Sequence, residues 1–478
     1  MVNPTTRDDV LDAASSYFFS QLKSIEDFDG FSRLVDDDMD RMKREVIGRC
    51  IERFDSEIRQ SVPSSWTIVK REKRTVITLF GPVAFSRTLF KDEYGRRRYL
   101  ADELLGIRKR SRFSADAVVW ILKRVAVVSY GQAAGDFLDR SGASVSKMTV
   151  WNMVQREAER IERSGFDKCG NGLSQTDIFV EADGIFVALQ SPERRKERID
   201  SYLCRQQHRR RSIEIKVGCV YAGKAFMEGR MRRGNVSLIA SIGSKDAFWN
   251  QMEKTIERDY ASEDIENIWS ASDGGSWCRD NPLGTIYPHA QLHRAYDMFH
   301  VIKKIWESFP EGESRDWLVG LAIRRKPEAI VDALRKMIPK IKNKTRRSKA
   351  RDLLRYVQNG REFLRERFNL GTMEATNAYV WAKRMKRFGC AWSARGAYAM
   401  ALLLARIHSG LEPIAPAADA FYTEKEEEKR IGFLSDAGGI AARQISVGSG
   451  YEPRIGHICL EKAPGAFLPD AFLHQYVR

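Results

Sequence analysis

Apolar residues recur at helical spacing through the first sixty positions, at Tyr17, Phe18, Leu22 and Phe28 and again at Met42, Val46, Ile47 and Cys50. This predicts a helical region over residues 1–65. The period then changes. From Thr67 to Phe90 apolar residues alternate with polar or basic ones, broken by Gly81-Pro82, which predicts a β-hairpin region over 66–110 with the Gly-Pro pair at its turn. A second, very basic turn is expected around Gly95. Residues 111–170 return to helical spacing. Within them the segment from Ser129 to Ile161 reads as a helix, a Gly-containing break and a second helix beginning near Ser146, capped by Ser144 or Ser146. Such a pair suits a helix-turn-helix, in which Lys147, Thr149 and Asn152 would face base edges. An ordinary helical hairpin fits the same pattern.

From residue 171 the pattern is mixed. DIFVEADGIFVALQ, SIEIKVGCVYAG and NVSLIASI are strand-like, SKDAFWNQMEKTIERDY is an amphipathic helix, and short strands follow at ENIWSAS and QLHRAYD. Three consecutive strands before a helix, then two short strand–helix units, predict an α/β RNase H-like core in which the first three strands are antiparallel. That core is expected over 171–299 and 371–409. Between its two parts, residues 300–370 are helical and rich in Lys and Arg, as an inserted helical domain would be. The tail, 410–478, holds several Gly and Pro residues and the charge run TEKEEEKR, and is expected to be only partly ordered.

Composition narrows the partners. The chain of 478 residues has a net charge of +16, an excess that favours a polyanion, nucleic acid being the usual one. No run of 18 apolar residues occurs and the N-terminus lacks the order of a secretory signal, so a cytosolic protein is expected, nucleoid-associated when bound to DNA. The seven cysteines include no C-x-x-C pair, which argues against a disulfide framework or a zinc ribbon. No G-x-x-x-x-G-K-[ST] loop is present, which argues against an ATP-driven motor.

Three acidic residues are placed where a sheet and a helix could force them together. Asp183 lies inside an otherwise apolar strand, where a bare carboxylate would be costly. Asp273 ends a strand and precedes Gly274 and Gly275, which would let a phosphodiester or metal approach the backbone closely. Glu374 falls in the first turn of a helix that Thr372 would cap. Asp-Gly turns would account for the first two, and a favourable helix dipole for the third. Together they match what two-metal phosphoryl chemistry requires, carboxylates converging from separate elements on paired divalent ions. In D-M-F-H, Asp297 and His300 share one helix face and could orient a phosphate or move protons; a helix cap plus a surface histidine is the plainer reading.

TLFGPVAFSRTLFKDEYGRRRYLADELLGI, VEADGIFVALQ, SASDGGSW, AYDMFHVIKKI and GTMEATNAYVWAKRMKRFGCAWSARGA, in that order, resemble the ISLre family of insertion-sequence transposases, within the Mutator-like DDE group. The resemblance covers most of residues 60–409. It implies that Asp183, Asp273 and Glu374 form a DDE triad on Mg²⁺ or Mn²⁺, two ions per site, with Asp297 and His300 as the accompanying Asp-x-x-His motif. It places Trp392, Ser393 and Arg395 in the shared core. The implied activity is endonucleolytic cleavage of DNA at the inverted repeats of a transposable element, followed by strand transfer when the freed 3′-OH attacks target DNA. A homodimer or larger synaptic complex is expected. Arg324, Arg325, Lys340, Lys342, Arg346 and Arg347 of the insertion would neutralise phosphates; a solvated helix face explains them equally. A catalytically inactive, domesticated DNA-binding protein and a structure-specific nuclease of the same fold are the alternatives.

Overall fold

The structure, a computed structural model, describes residues 7–22, 24–164, 172–190, 212–227, 229–368 and 370–413. Nearly all of the expected tail, and the expected boundary near 170, lie outside these residues. Contacts divide the chain into two compact units with a boundary at Trp151 and Asn152.

The first unit holds helices α1 (Arg7–Leu22) and α2 (Phe28–Ser61) and an antiparallel sheet of β1 (Thr67–Thr78), β2 (Gly81–Lys91) and β3 (Arg97–Arg98). It also holds α3 (Leu100–Leu104), α4 (Ala115–Val125), α5 (Tyr130–Ser141) and the start of α6 (Lys147–Ser164). On α2, Ile47, Ile51, Phe54 and Ile58 pack in the core beside Val83, Phe85 and Phe90. Val46 and Cys50, one residue earlier in two of those turns, are exposed. Neighbours on a helix point about 100° apart, so a stripe read to within one residue can select the wrong side.

The hairpin turn is not at Gly81-Pro82. Thr78 pairs with Gly81 and Ile77 with Pro82, which leaves Leu79 and Phe80 in the turn and puts the proline inside β2. The strand tolerates it because Ile77 sends its hydrogen bonds the other way, its N–H to the Arg112 carbonyl and its carbonyl to the Ser114 N–H. Pro82 therefore sits opposite a residue that needs no donor from it. Further on, α5 stops at the left-handed Gly142, and Ser146 accepts a hydrogen bond from the Thr149 N–H at the start of α6.

The second unit is built on a five-stranded mixed sheet. Its strands are β4 (Asp177–Ala188), β5 (Ser212–Tyr221), β8 (Ser237–Ser241), β9 (Asn267–Ser272) and β10 (Gln291–Tyr296), in the order β10-β9-β4-β5-β8. The pairs β4–β5 and β5–β8 are antiparallel, while β4–β9 and β9–β10 are parallel. A separate hairpin, β6 (Gly223–Met227) with β7 (Arg230–Gly234), follows β5. Helix α7 (Lys245–Asp259) packs on one face of the sheet, against Ile178, Val180 and Ala182 of β4. Alternation along β4 turns Glu181 and Asp183 to the other face.

After β10 come α8 (Met298–Ser308), α9 (Glu313–Ile323), α10 (Pro327–Met337), α11 (Lys344–Asn359) and the short α12 (Arg361–Arg365). They share one apolar cluster around Val301, Ile305, Leu318, Leu334, Leu353 and Val357, so the insertion buries a core of its own. Then α13 (Met373–Thr376) runs into a π-helical stretch, Asn377–Ala382, and a further turn, Lys383–Met385, before α14 (Ala394–His408). Ser393 caps α14, Trp392 joins the end of β4 through backbone bonds to Ala188 and Gln190, and Arg395 pairs with Glu159 of α6. Trp392 thus fastens this segment to the sheet, and Arg395 fastens α14 to α6. Among the described residues no helix is long and apolar enough to cross a membrane.

Candidate functional site

Three strands run abreast, and two of them end at the same level. Ser272 of β9 lies opposite Ala182 of β4 on one side and Tyr296 of β10 on the other. The next residues in the three chains are Asp183, Asp273 and Asp297, so parallel register alone lines up three carboxylates. Asp183 is not in a turn: it and Gly184 are inner residues of β4, opposite Val217 and Lys216. Asp273 begins the loop after β9, its Oδ1 accepting from the Gly275 N–H at 2.8 Å. Asp297 caps α8 by accepting from the Phe299 N–H at 3.0 Å, and is buried at 4 % exposure. The plainer reading of D-M-F-H was correct for this cap but not for the histidine. His300 is half-buried, with Nε2 4.0 Å from Oδ2 of Asp183.

Glu374 arrives from a distant part of the chain. The helix that carries it is not capped by Thr372, whose side chain makes no capping bond. Glu181, two residues before Asp183, takes that role. Its carboxylate accepts from the backbone N–H of Thr372 at 2.9 Å and of Met373 at 3.1 Å, and also from the Thr372 hydroxyl. Tyr221 donates to the same carboxylate at 2.9 Å. One turn beyond Glu374, at the start of the π-helical stretch, the Asn377 amide donates to Oδ2 of Asp183 at 2.5 Å. The wider turn adds a residue to the helix, a feature often met at functional sites. Sequence reading missed Glu181 and Asn377. Glu181 carried a signal, a second carboxylate on the buried face of the same apolar strand; Asn377 carried none.

As a result, Asp183, His300 and Glu374 each offer a ligand atom, all within 4.8 Å of one another, a group able to hold a metal ion. Asp273 is not in that group, yet it acts on Asp183. Burial first, then the Asp273 and Glu374 charges, raise the Asp183 carboxyl to about 7, opposed by His300 and the Gly184 N–H. Asp297 is likewise raised, chiefly by burial. Asp183 therefore keeps its proton to a higher pH than an ordinary carboxyl unless a cation joins it.

The loop holding Asp273 is fixed by the insertion. The Tyr356 hydroxyl of α11 donates to the Asp273 carbonyl at 2.9 Å, and Gly274 adopts a φ of +77°. A Cβ on Gly274 would meet the Tyr356 and Tyr296 rings at 2.7 and 2.8 Å, so the close approach that demands glycine there is from aromatic rings.

The expected DNA-facing residues divide. On α6, Lys147 and Asn152 are exposed and Thr149 is half-buried, its hydroxyl 3.0 Å from that of Ser146. In the insertion, Arg324, Lys340, Lys342 and Arg346 are exposed. Arg347 turns back to the Ile341 and Lys342 carbonyls. Arg325, at a φ of +57°, also turns inward: it donates to the Phe368 carbonyl at 3.2 Å and feels the charge of Asp297.

A UPF0236 protein of Caldanaerobacter subterraneus subsp. tengcongensis is 23% identical over 384 residues, covering 76% of this chain and 74% of the relative. A UPF0236 protein from the vanSb 3′ region of Streptococcus gallolyticus is 23% identical over 270 residues, or 56% of each chain. The Drosophila P element transposase strand transfer complex is slightly similar in structure, with a TM-score of 0.23 and 10% identity over 69% of this chain and 88% of that one. The profile of the uncharacterised protein family UPF0236 matches residues 26–414, most of the chain, and the protein therefore belongs to that family.

Proposed function

We propose that this protein is a DDE-type transposase that cuts DNA at the ends of an insertion sequence and joins the freed 3′-OH to target DNA. The observation that carries the reading is the meeting of Asp183 and Asp273, abreast on parallel neighbouring strands, with a helix that brings Glu374 to Asp183 from across the chain. Three antiparallel strands followed by two parallel ones, with one acid inside the central strand and another just past the end of its parallel neighbour, is also the arrangement expected of an RNase H-like core. The net charge of +16 favours DNA as partner. One Caldanaerobacter relative carries eleven designations under a single name, as a protein encoded by a multiplied element would.

The residues fit a divalent cation. Asp183, charged only with difficulty by itself, sits with Glu374 and His300, and the buried side-chain oxygen of Asn377 has no hydrogen-bond partner among the described residues. Asp183, Glu374 and His300 would hold the ion, with Asp273 beside them for a second. Bound there, a divalent ion supplies a more acidic water and offsets charge on the scissile phosphate. The chain's own groups do the positioning. Asn377 orients Asp183, Glu181 fixes the Glu374 helix to the same strand, and Tyr356 holds the backbone of Asp273.

The test is cleavage of DNA bearing the element's ends, with Mg²⁺ or Mn²⁺. Asp183→Asn and Asp273→Asn should each abolish nicking while DNA binding stays within a few-fold of the parent. Variants that cut as well as the parent would remove the proposal. Hydrolysis without any strand-transfer product would reduce it to a nuclease on the same site.

A further inference from the structure

Beside the Glu374 helix lies a second feature that the metal-binding group does not use. A cavity of about 320 Å³ separates the β6–β7 hairpin from that helix. Lys224, Met231 and Arg233 line it from the hairpin, and Thr372, Ala375 and Tyr379 from the other side. This volume is at the small end of ligand pockets, which run from roughly 300 to 1,000 Å³.

Its chemistry is two-sided. Lys224 feels the charge of the buried Glu181, Arg233 reaches the Thr372 hydroxyl that in turn donates to Glu181, and Arg232 adds a third positive charge to the rim. Lys224 donates to the Leu370 carbonyl, and Arg233 donates to the Thr372 hydroxyl at 3.1 Å and to Sγ of Cys219 at 3.3 Å. These bonds hold the two side chains against the cavity wall, and three ammonium and five guanidinium hydrogens give them donors beyond those bonds. Burial lowers the Lys224 pKa, a strain that an incoming anion relieves. Part of the mouth is apolar: Tyr379 is 63% exposed and Met231 57% exposed, although Lys383 lies over the Tyr379 ring and His408 meets it edge-on. A phosphate with a flat, weakly polar ring attached matches both halves.

We propose that this cavity receives one unpaired nucleotide of the DNA strand being processed, its base against Tyr379 and Met231 and its phosphate on Lys224 and Arg233. The inference rests on the DNA-processing reading above and adds to it the form of the substrate, a strand whose end is unpaired next to the reacting phosphate. Stacking on an aromatic ring tolerates any base, so the site sets strand form and not sequence.

The experiment uses the full chain, EDTA to prevent cleavage, and two labelled DNA hairpins of one arbitrary sequence, one blunt and one with a single unpaired 3′ nucleotide carrying 2-aminopurine. The parent should bind the overhang more tightly and quench its 2-aminopurine. Tyr379→Ala should weaken overhang binding about tenfold, a typical loss for one stacked base, remove the quenching and leave blunt binding unchanged; Tyr379→Phe should behave as the parent. Equal binding of both DNAs by the parent, or equal losses on both with Tyr379→Ala, overturns the proposal. The outcome is independent of catalysis: an Asp183→Asn variant that still cut would sink the transposase reading and leave this binding difference in place.

Discussion

Glu181 and Thr372 are 191 residues apart, yet one carboxylate oxygen of the first accepts the backbone N–H of the second at 2.9 Å. The bond joins the strand of Asp183 to the helix of Glu374, and the same oxygen also takes the Met373 N–H. Replacing Glu181 with Ala leaves two helix N–H groups without a partner and leaves Lys224 without its buried counter-charge. Hydrogen bonds to charged groups contribute about 1.5–3 kcal/mol each, so a loss of about 2–4 kcal/mol is expected in denaturant unfolding. Divalent-ion affinity should fall too, since Glu374 would no longer be held toward Asp183. Unchanged stability and affinity in Glu181→Ala would mean that the helix is located by other contacts.

The Asp183 carboxyl gives a pH dependence whose sign follows from its folded value of about 7 against an ordinary 3.8. The native state keeps this proton after the unfolded chain has lost it, so its contribution is complete below about 4 and disappears as the pH rises through 7. Without divalent ions, thermal stability should therefore fall from pH 5 to pH 8. Asp297, also raised, acts in the same direction. Adding Mg²⁺ should stabilise the protein more at pH 8 than at pH 5, because ligation needs the proton gone. In Asp183→Asn both effects should shrink; an identical pH slope in parent and variant would refute the assignment.

The sequence made the sheet and the acids legible for different reasons than the rest. Strands such as Asp177–Ala188 are buried on both faces over much of their length, so their apolar runs stand out, and Asp183 stands out within one. Asp273 and Asp297 could be read because each ends such a run. The turn at Leu79-Phe80 could not, since Pro82 usually marks a turn and is admitted to β2 only because Ile77 bonds elsewhere. Glu181 as a cap and Asn377 as a partner of Asp183 depend on contacts made across some 190 positions, which no local pattern encodes. Arg325 reads like the other cations of the insertion and differs by a left-handed backbone, in the turn after α9, that directs it inward.

Gly274 tests how much the insertion governs the site. Its φ of +77° and the two tyrosine rings at under 3 Å from any added Cβ leave no room for a side chain. Strained backbone of this kind costs of order 1–3 kcal/mol even without a clash. Gly274→Ala should therefore cost at least about 2 kcal/mol in unfolding free energy, and cleavage should fall more than DNA affinity does, because Asp273 moves while the basic surface stays. Tyr356→Phe removes only the 2.9 Å bond to the Asp273 carbonyl and should give a milder form of the same separation. Loss of affinity equal to loss of cleavage in both variants would show that the loop matters for folding alone.

The insertion's cations should separate by their orientation. Each phosphate contact neutralised by an exposed Lys or Arg contributes about 0.9 to the slope of log affinity against log salt. Lys342 and Arg346 are exposed, so replacing both with Ala should lower that slope by about 2 and weaken binding alike on all sequences. Arg325 donates to the Phe368 carbonyl beside Asp297, and its replacement should leave the slope unchanged while lowering thermal stability. The contrast separates a DNA-binding face from a merely solvated one: if the double variant retains the parent's salt slope, the exposed cations serve solubility and DNA is held elsewhere. If Arg325→Ala alone reduced the slope, that side chain would have to leave its inward position on binding, and the insertion would contact DNA through the edge nearest Asp297.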